Sequence, residues 1–141
     1  MESFIKIIEQ KKSPVVTTIH GKQIDLIRRF MSEGKNVFIC GAIGVGKSFI
    51  LQKVLEGTNH VELLPHHLKK DSPFLPFIKP TRKHVFIEDY DSVFKSLVEE
   101  VSDGNKLTRG SLLITTTTMC MFPNFETVFV PKHKPEVLMT L

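Results

Sequence analysis

Short runs of apolar residues alternate along this chain with segments whose apolar residues recur three and four positions apart. Regularly spaced polar residues do not interrupt the runs, which is typical of strands buried on both faces. The runs predict five strands, over residues 36–40, 60–64, 85–87, 112–116 and 127–130. The helical spacing predicts helices between these strands, over residues 47–56 and 92–101, and another before the first strand, over residues 23–33.

This order of elements predicts an α/β fold. Strands separated by helices imply crossover connections, and such connections join parallel strands. We therefore expect three layers, with a mainly parallel five-stranded sheet flanked by helices. The 141 residues fit one domain, so residues 1–141 are assigned to a single domain in which 1–17 form an N-terminal helical extension. Residues 65–83, rich in proline and lysine, predict a loop with one helical turn.

The N-terminal segment carries its own start and stop signals. Apolar residues at helical spacing predict a short helix over 2–12, and Ser13-Pro14 is expected to close it, because proline disfavours helix just before itself. The β-branched run over 15–19 predicts a short extended segment. Gly34 stands where the helix over 23–33 needs a C-terminal cap.

The helix over 92–101 has a capping residue and an apolar face. Asp91 or Ser92 is expected to cap its first turn, because both side chains accept backbone N–H bonds. The residues expected to face inward recur at helical spacing and are Val93, Phe94, Leu97, Val98 and Val101. Asp103-Gly104-Asn105 then predicts a turn.

Composition excludes some classes of protein. The chain is 41% hydrophobic and 24% charged, which suffices for one core. It has no run of about 18 apolar residues, so no membrane contact is expected, and it lacks a secretory signal pattern. We expect an intracellular protein, in the cytoplasm or nucleus of a host cell. The net charge of +4 fits an anionic partner or a solvated lysine-rich surface, and both remain open.

The two cysteines, Cys40 and Cys120, are too few for a disulfide framework. Each lies at or just past the end of a predicted core strand. A free cysteine at such a position usually behaves as a small buried hydrophobe. We therefore expect neither to take part in the chemistry.

The most specific motif is Gly41-Ala-Ile-Gly-Val-Gly-Lys-Ser48, which has the spacing G-x-x-x-x-G-K-S. It follows a predicted strand and opens a predicted helix, the context in which its N–H groups and the helix dipole converge on phosphate. Lys47 is expected to bridge the β- and γ-phosphates, and the Ser48 hydroxyl to bind Mg²⁺. The ligand is ATP or GTP with Mg²⁺. The predicted binding residues are Gly41, Ala42, Ile43, Gly44, Val45, Gly46, Lys47, Ser48 and Phe49.

A pair of acids ends the strand over residues 85–87. Such a site needs a carboxylate near the metal, delivered by a strand that we expect to neighbour the first one. Glu88 and Asp89 are the candidates, and consecutive residues at a strand end point to opposite sides. We assign Glu88 to the metal and Asp89 to water activation, with the reverse assignment left open. The predicted metal ligands are thus Ser48, Glu88 and Asp89, and Asp91 is a further candidate whose expected role is helix capping.

A run of four threonines, Thr115 to Thr118, ends the strand over residues 112–116. A hydroxyl at the end of the strand beside the acidic one can hold the attacking water near the γ-phosphate. Threonine is also common in strands for packing reasons alone. In the order in which the motifs occur, Thr116 or Thr117 is the predicted γ-phosphate sensor.

In this order the motifs resemble the core of an AAA+ ATPase over residues 18–138. The three motifs correspond to the Walker A box (Gly41–Ser48), the Walker B box (85–89) and the sensor-1 strand (112–117). Two branches are similar: the clamp loaders with the replication initiators, and the superfamily 3 helicases of small DNA viruses. The resemblance implies an ATPase or ATPase subunit in DNA replication, repair or packaging, with DNA as a partner.

Several features of that family are absent or altered. Walker B has the order Glu88-Asp89 instead of Asp-Glu, and sensor 1 has Thr117 instead of asparagine. Neither Arg82 nor Arg109 stands where the family has its arginine finger, which is worth about 10³–10⁵ in rate in related enzymes. We also expect no counterpart of the family's helical lid within residues 1–141. The resemblance therefore implies that this chain by itself hydrolyses the nucleotide slowly. It also implies other protein subunits that supply the arginine and the lid.

Two further functions stay open. A small-molecule or nucleotide kinase shares the phosphate motif but needs a cationic lid, for which the 65–83 loop offers Lys69, Lys70, Lys79, Arg82 and Lys83. A non-hydrolysing interaction module would use the nucleotide only to order its fold.

Overall fold

The computed structural model describes residues 13–68 and 83–132, with side chains from residue 20 onward. These residues form three α-helices: α1 (Ser13–Ser32), α2 (Lys47–Leu55) and α3 (Lys95–Ser102). The five strands are β1 (Asn36–Cys40), β2 (His60–Glu62), β3 (His84–Ile87), β4 (Leu112–Thr116) and β5 (Phe125–Phe129). Short 3-10 helices span Pro65–His67 and Ser92–Phe94.

The five strands form one sheet in the order β2-β3-β4-β1-β5, and every neighbouring pair is parallel. The predicted α/β class with a five-stranded sheet is therefore confirmed. The order corrects one expectation, because the acidic strand β3 does not neighbour β1. The threonine strand β4 lies between them, so it contacts both the phosphate motif and the acids.

Helices cover both faces of the sheet and give the molecule two cores. On one face, α1 and α2 bury their apolar residues against β1, with Ile27, Ile50 and Val37 fully buried. On the other face, α3 packs Leu97 and Val98 against the opposite side of the same strands. All five residues of β4 are buried, as expected for a strand covered on both faces.

The N-terminal prediction was wrong from residue 13 onward. Ser13-Pro14 begins α1 instead of closing a helix, and the segment predicted as extended, 15–19, is helical. Proline is compatible with this position, because the first turn of a helix leaves its N–H groups without intrahelical partners. The predicted boundary at residue 17 lies within α1, and the helix predicted over 2–12 lies outside the described residues.

The remaining elements differ from prediction mainly at their ends. The turn before α3 is a 3-10 helix, and Asp91 caps it by accepting a hydrogen bond from the Val93 N–H at 3.3 Å. Val93, expected to face inward, is 47% exposed. It belongs to the 3-10 helix, whose geometry does not continue the apolar face of α3. Strand β5 begins two residues earlier than predicted. Gly34 ends α1 with φ +72, as expected for a cap.

Within residues 13–68 and 83–132, no helix is both long and apolar enough to cross a membrane.

Candidate functional site

The phosphate loop, residues 41–46, connects the C-terminal end of β1 to the first residue of α2. Hydrogen bonds to both neighbouring strands anchor its start. The Gly41 N–H donates to the Thr116 carbonyl of β4 at 3.1 Å, and the Val130 N–H donates to the Cys40 carbonyl at 2.8 Å. The loop therefore starts between the ends of β4 and β5, with the N-terminus of α2 directly after it.

Three glycines of this loop are needed for different reasons. A Cβ at Gly41 would lie 2.8 Å from the Val130 carbonyl oxygen, so the approach of the chain after β5 excludes a side chain there. Gly44 and Gly46 have φ values of +84 and +108, which side chains rarely adopt. This backbone turns successive N–H groups toward one side, as an anion nest requires.

The Lys47 side chain, 7% exposed, folds along the loop. Its ammonium donates to the Gly41 carbonyl and, at 2.9 Å, to the Ala42 carbonyl. Hydrogen bonds to two backbone carbonyls hold the positive charge at the loop. The ammonium thus lies beside the first two residues of the phosphate loop.

A cavity of about 610 Å³ opens beside this loop, and we call it the phosphate cavity. One wall is the loop with the start of α2, and the other is the ends of β3 and β4. Its lining residues are Ile43, Gly44, Gly46, Lys47, Ser48, Asp89, Tyr90 and Thr117. The structure thus brings together residues from three predicted motifs, the most distant of which, Ile43 and Thr117, are 74 positions apart in sequence.

Glu88 faces a second cavity, of about 450 Å³, that adjoins the first. Ser48 lines both cavities, so it stands between Glu88 on one side and Asp89 on the other. The second cavity, which we call the side cavity, is lined by Ser48, Leu51, Gln52, Leu55, Glu56, His60, Glu62, Phe86 and Glu88. The two acids therefore line different cavities, which meet at the predicted metal ligand Ser48.

Asp89 has a left-handed backbone, with φ +64, which is uncommon for a residue other than glycine. The Asp89 N–H donates to the Thr115 hydroxyl at 2.8 Å, and the Tyr90 N–H donates to the Thr115 carbonyl at 2.8 Å. Sequence reasoning missed Thr115, because only the pairing of β3 with β4 brings its hydroxyl to the acidic turn.

The two threonines predicted as sensors lie in different surroundings. Thr117 is exposed and lines the phosphate cavity. Thr116 is buried within β4, and its hydroxyl accepts a hydrogen bond from the Thr118 N–H at 3.2 Å. Of the pair, Thr117 therefore has the position suited to contact a phosphate or a water molecule.

His20 of α1 was not among the predicted site residues, yet it packs against the phosphate loop. Its ring is 7% exposed and lies 5.7 Å, centroid to centroid, from the ring of Phe49. A Cβ at Gly46 would lie 2.9 Å from the His20 ring.

The remaining predicted residues differ in burial: Val45 is buried, whereas Ile43 is 87% exposed at the tip of the loop.

Tyr90 lines the phosphate cavity and also packs against the apolar core that contains Phe38 of β1. Its ring makes an edge contact with Phe38 at 6.1 Å between centroids. Burial raises the pKa of the Tyr90 hydroxyl, and nearby Cys120, Glu99 and Asp91 raise it further. The phenol therefore stays neutral and can act as a hydrogen-bond donor at the cavity wall.

Oxygen donors at the junction of the two cavities have the chemistry that Mg²⁺ prefers. These are the Ser48 hydroxyl and the carboxylates of Glu88 and Asp89. Among the described residues, no group of three or more His, Cys, Asp or Glu side chains could hold a metal ion. Magnesium at phosphate sites keeps several waters and takes its other ligands from the substrate, so a hydroxyl and one or two carboxylates suffice.

The described residues do not provide an arginine to this site. Arg109 precedes β4, at the sheet edge opposite the phosphate loop. Arg82 lies outside the described residues, as do the lysines at positions 69, 70 and 79. Their predicted roles are not tested by the structure.

No known protein family and no curated protein matches this sequence. Among solved structures, the chain is similar to a Signal Transduction ATPase with Numerous Domains (STAND) protein with a tetratricopeptide repeat sensor, from Pyrococcus horikoshii. The two share 14% sequence identity with a TM-score of 0.57. The match covers 83% of this chain and 23% of the other, so this chain spans about a quarter of that protein. The likeness shows a P-loop NTPase-like fold, and the narrower resemblance to AAA+ ATPases stays a prediction.

Proposed function

We propose that this chain binds ATP or GTP together with Mg²⁺ and hydrolyses it slowly on its own. The observation that carries the proposal is the composition of the phosphate cavity. Asp89 and Thr117, from the ends of β3 and β4, lie across it from Lys47 and Ser48. A loop that merely joined β1 to α2 would need no acid and hydroxyl from two other strands beside its lysine. The likeness to a STAND ATPase supports the same function.

Binding follows from the donors on the loop side of the cavity. The N–H groups around Gly44 and Gly46 and the N-terminus of α2 bind phosphate oxygens. The Lys47 ammonium exchanges its two carbonyl acceptors for phosphate oxygens, which are stronger partners because they are charged. Ser48 and Glu88 hold Mg²⁺, which when bound neutralises charge on the β- and γ-phosphates.

Hydrolysis follows from the residues on the opposite wall. The Asp89 carboxylate orients the attacking water and accepts its proton, and the Thr117 hydroxyl holds that water or a γ-phosphate oxygen. The rate without a partner is low, because the described residues place no arginine in the cavity to stabilise the developing charge. A partner subunit is proposed to supply that arginine, together with a lid over the nucleotide.

Calorimetric titration of the full chain with ATP and with GTP, each with and without Mg²⁺, tests binding. The informative variant is Lys47→Ala, which we expect to weaken binding at least about 100-fold, since hydrogen bonds to charged groups contribute about 1.5–3 kcal/mol each. Lys35→Ala is the matched control, because it removes the same charge next to the opposite end of β1. No heat with either nucleotide, or equal binding by the Lys47 variant, would refute the proposal.

Release of free phosphate separates hydrolysis from binding alone. Slow release that Asp89→Asn lowers at least about 100-fold supports the ATPase function. Tight binding with no release, even with partner subunits present, would mean that the chain is a nucleotide-dependent interaction module.

The side cavity favours one alternative, a small-molecule kinase. It adjoins the phosphate cavity at Ser48, as an acceptor site would have to do, and it combines the aromatic ring of Phe86 with several carboxylates. Carboxylates accept hydrogen bonds from hydroxyl groups, so the acceptor would be an uncharged or cationic compound that bears hydroxyls. Appearance of labelled γ-phosphate on a nucleoside, instead of as free phosphate, would identify this activity.

We also propose a process in which the nucleotide hydrolysis is used, namely DNA replication, repair or packaging. It depends on the AAA+ resemblance and on the net charge of +4. DNA titrations at about 50 and 200 mM salt test it, because phosphate contacts make affinity fall steeply with salt. Binding that does not change between these concentrations would argue against a DNA partner.

A further inference from the structure

We infer that Thr115 is a positioning residue that aims Asp89 into the phosphate cavity. The inference rests on the proposed function and names a residue that none of the sequence motifs assigns. Thr115 is 1% exposed and lies inside β4, so it does not contact the cavity itself. It acts through the turn that follows β3.

Two hydrogen bonds from this turn converge on Thr115. Its hydroxyl accepts from the Asp89 N–H, and its carbonyl accepts from the Tyr90 N–H, both at 2.8 Å. The carbonyl bond uses only the backbone, so any residue at position 115 could form it. The hydroxyl bond is specific to threonine or serine.

The conformation of Asp89 explains why the hydroxyl matters. Strand β3 ends at Ile87, and Asp89, two residues later, has φ +64, which turns the backbone away from the strand direction. A left-handed backbone is unfavourable for a residue with a side chain and persists only where the surroundings hold it. The Thr115 hydroxyl bonds the N–H of the very residue that has this conformation.

Burial makes Thr115 a firm anchor. Strand β4 pairs with β1 on one side and β3 on the other, and Thr115 itself pairs with Ile39. The hydroxyl therefore has a fixed position relative to both the phosphate loop and the acidic turn. Thr115 thus links the acidic turn directly to β4, which pairs with the strand that leads into the phosphate loop.

Thr115→Val tests the inference, because valine has the same shape, suits a strand and lacks only the hydroxyl. We expect kcat for the nucleotide to fall about tenfold, the equivalent of one lost hydrogen bond in a transition state, while the nucleotide Kd changes less than twofold. Thr115→Ser should restore the rate. Thr118→Val, which removes an exposed hydroxyl from the same threonine run, is the control and should leave the rate unchanged.

A double variant shows whether Thr115 acts through Asp89. In an Asp89→Asn background, Thr115→Val should cause no further loss, because the group that it positions is already inactive. A full additional tenfold loss in that background would overturn the inference. So would wild-type turnover by Thr115→Val alone.

Hydrogen exchange of the Asp89 amide, measured by NMR without nucleotide, separates this inference from the proposed function. Thr115→Val should speed that exchange about tenfold, and Thr115→Ser should not. If the wild-type chain hydrolyses no nucleotide but the exchange changes as stated, hydrolysis is refuted and the positioning of Asp89 stands. If the exchange does not change, the inference is refuted whatever the turnover.

Discussion

The ring of His20 lies against the backbone of Gly46, so close that a Cβ at Gly46 would come within 2.9 Å of the Cε1 and Nε2 atoms. This contact joins α1 to the phosphate loop at the residue before Lys47. The ring also contacts that of Phe49 in α2, with 5.7 Å between the centroids. The first helix therefore supports the loop directly, and the shape of the loop depends on it.

Gly46→Ala should destabilise the fold more than Gly57→Ala. Both glycines have positive φ, so alanine costs about 1–2 kcal/mol at either position. At Gly46 the added methyl group also meets His20, whereas at Gly57 nothing lies within 4 Å. Urea denaturation should show an additional loss of about 1–3 kcal/mol for the Gly46 variant.

The double variant His20→Ala/Gly46→Ala identifies the clash as the cause. Removal of the ring should recover most of the additional loss, so the two substitutions should not be additive. Strictly additive losses would show that His20 is not what excludes a side chain at Gly46.

Glu88→Gln and Asp89→Asn should have different effects, because the two acids line different cavities that meet at Ser48. Glu88→Gln should reduce the dependence of nucleotide binding on Mg²⁺, since it removes a charged metal ligand. Asp89→Asn should leave Mg²⁺-dependent binding within about threefold and lower kcat at least about 100-fold, the usual contribution of a general base. Calorimetry at several Mg²⁺ concentrations and phosphate release measure the two effects, and the reverse pattern would exchange the two roles.

The protein should become less stable as the pH falls below about 6.5, because of His84. Burial lowers the pKa of His84, and nearby His60 lowers it further. Its Nδ1 accepts a hydrogen bond from the Ser111 N–H at 3.0 Å, which a protonated Nδ1 cannot do. A lowered folded-state pKa means that the unfolded chain binds the proton first, so this contribution is present above pH 6.5 and is lost as the pH falls through the folded-state pKa.

Calorimetric unfolding between pH 5 and 8 measures this effect. His84→Asn retains an acceptor near the Ser111 N–H and does not titrate, so its Tm should depend less on pH than that of the wild type. His66→Asn, at an exposed histidine of the 3-10 turn after β2, is the control and should leave the pH dependence unchanged. Equal pH profiles for wild type and His84→Asn would contradict the prediction.

Cys40 should react with thiol reagents far more slowly than Cys120 in the folded protein. Cys40 is 1% exposed, whereas Cys120 is half-buried. Burial raises the pKa of the Cys40 thiol, and this outweighs the opposing hydrogen bond from the Cys120 backbone. Since the thiolate is the reactive form, labelling of Cys120→Ser at pH 8 should require unfolding. Rapid labelling of that variant would show that the end of β1 opens readily.

The parts of the site that lie close together in sequence were predictable. The bounds of β1 and β4 were predicted correctly, because a buried strand leaves an uninterrupted apolar run. The phosphate loop was recognisable because its conformation depends on glycines within eight consecutive residues, and Gly44 and Gly46 do have positive φ. The cap at Asp91 is equally local.

Features that depend on contacts between distant segments were missed. Pro14 is compatible with both the end and the start of a helix, and only the packing of α1 against the sheet favours the start. The roles of Thr115 and His20 were hidden for a related reason, since no motif assigned either residue a role and each acts on a segment more than 20 positions away.

The sequence by itself thus determined the alternation of strands and helices, the phosphate loop and the presence of acids and hydroxyls at strand ends. Only the tertiary structure decided that β4 lies between β1 and β3, that Glu88 and Asp89 face different cavities, and that Thr117 rather than Thr116 reaches the phosphate cavity. The physical reason is that periodicity and backbone preference act within a few residues, whereas strand order and side-chain direction at strand ends depend on how both faces of the sheet are covered at once.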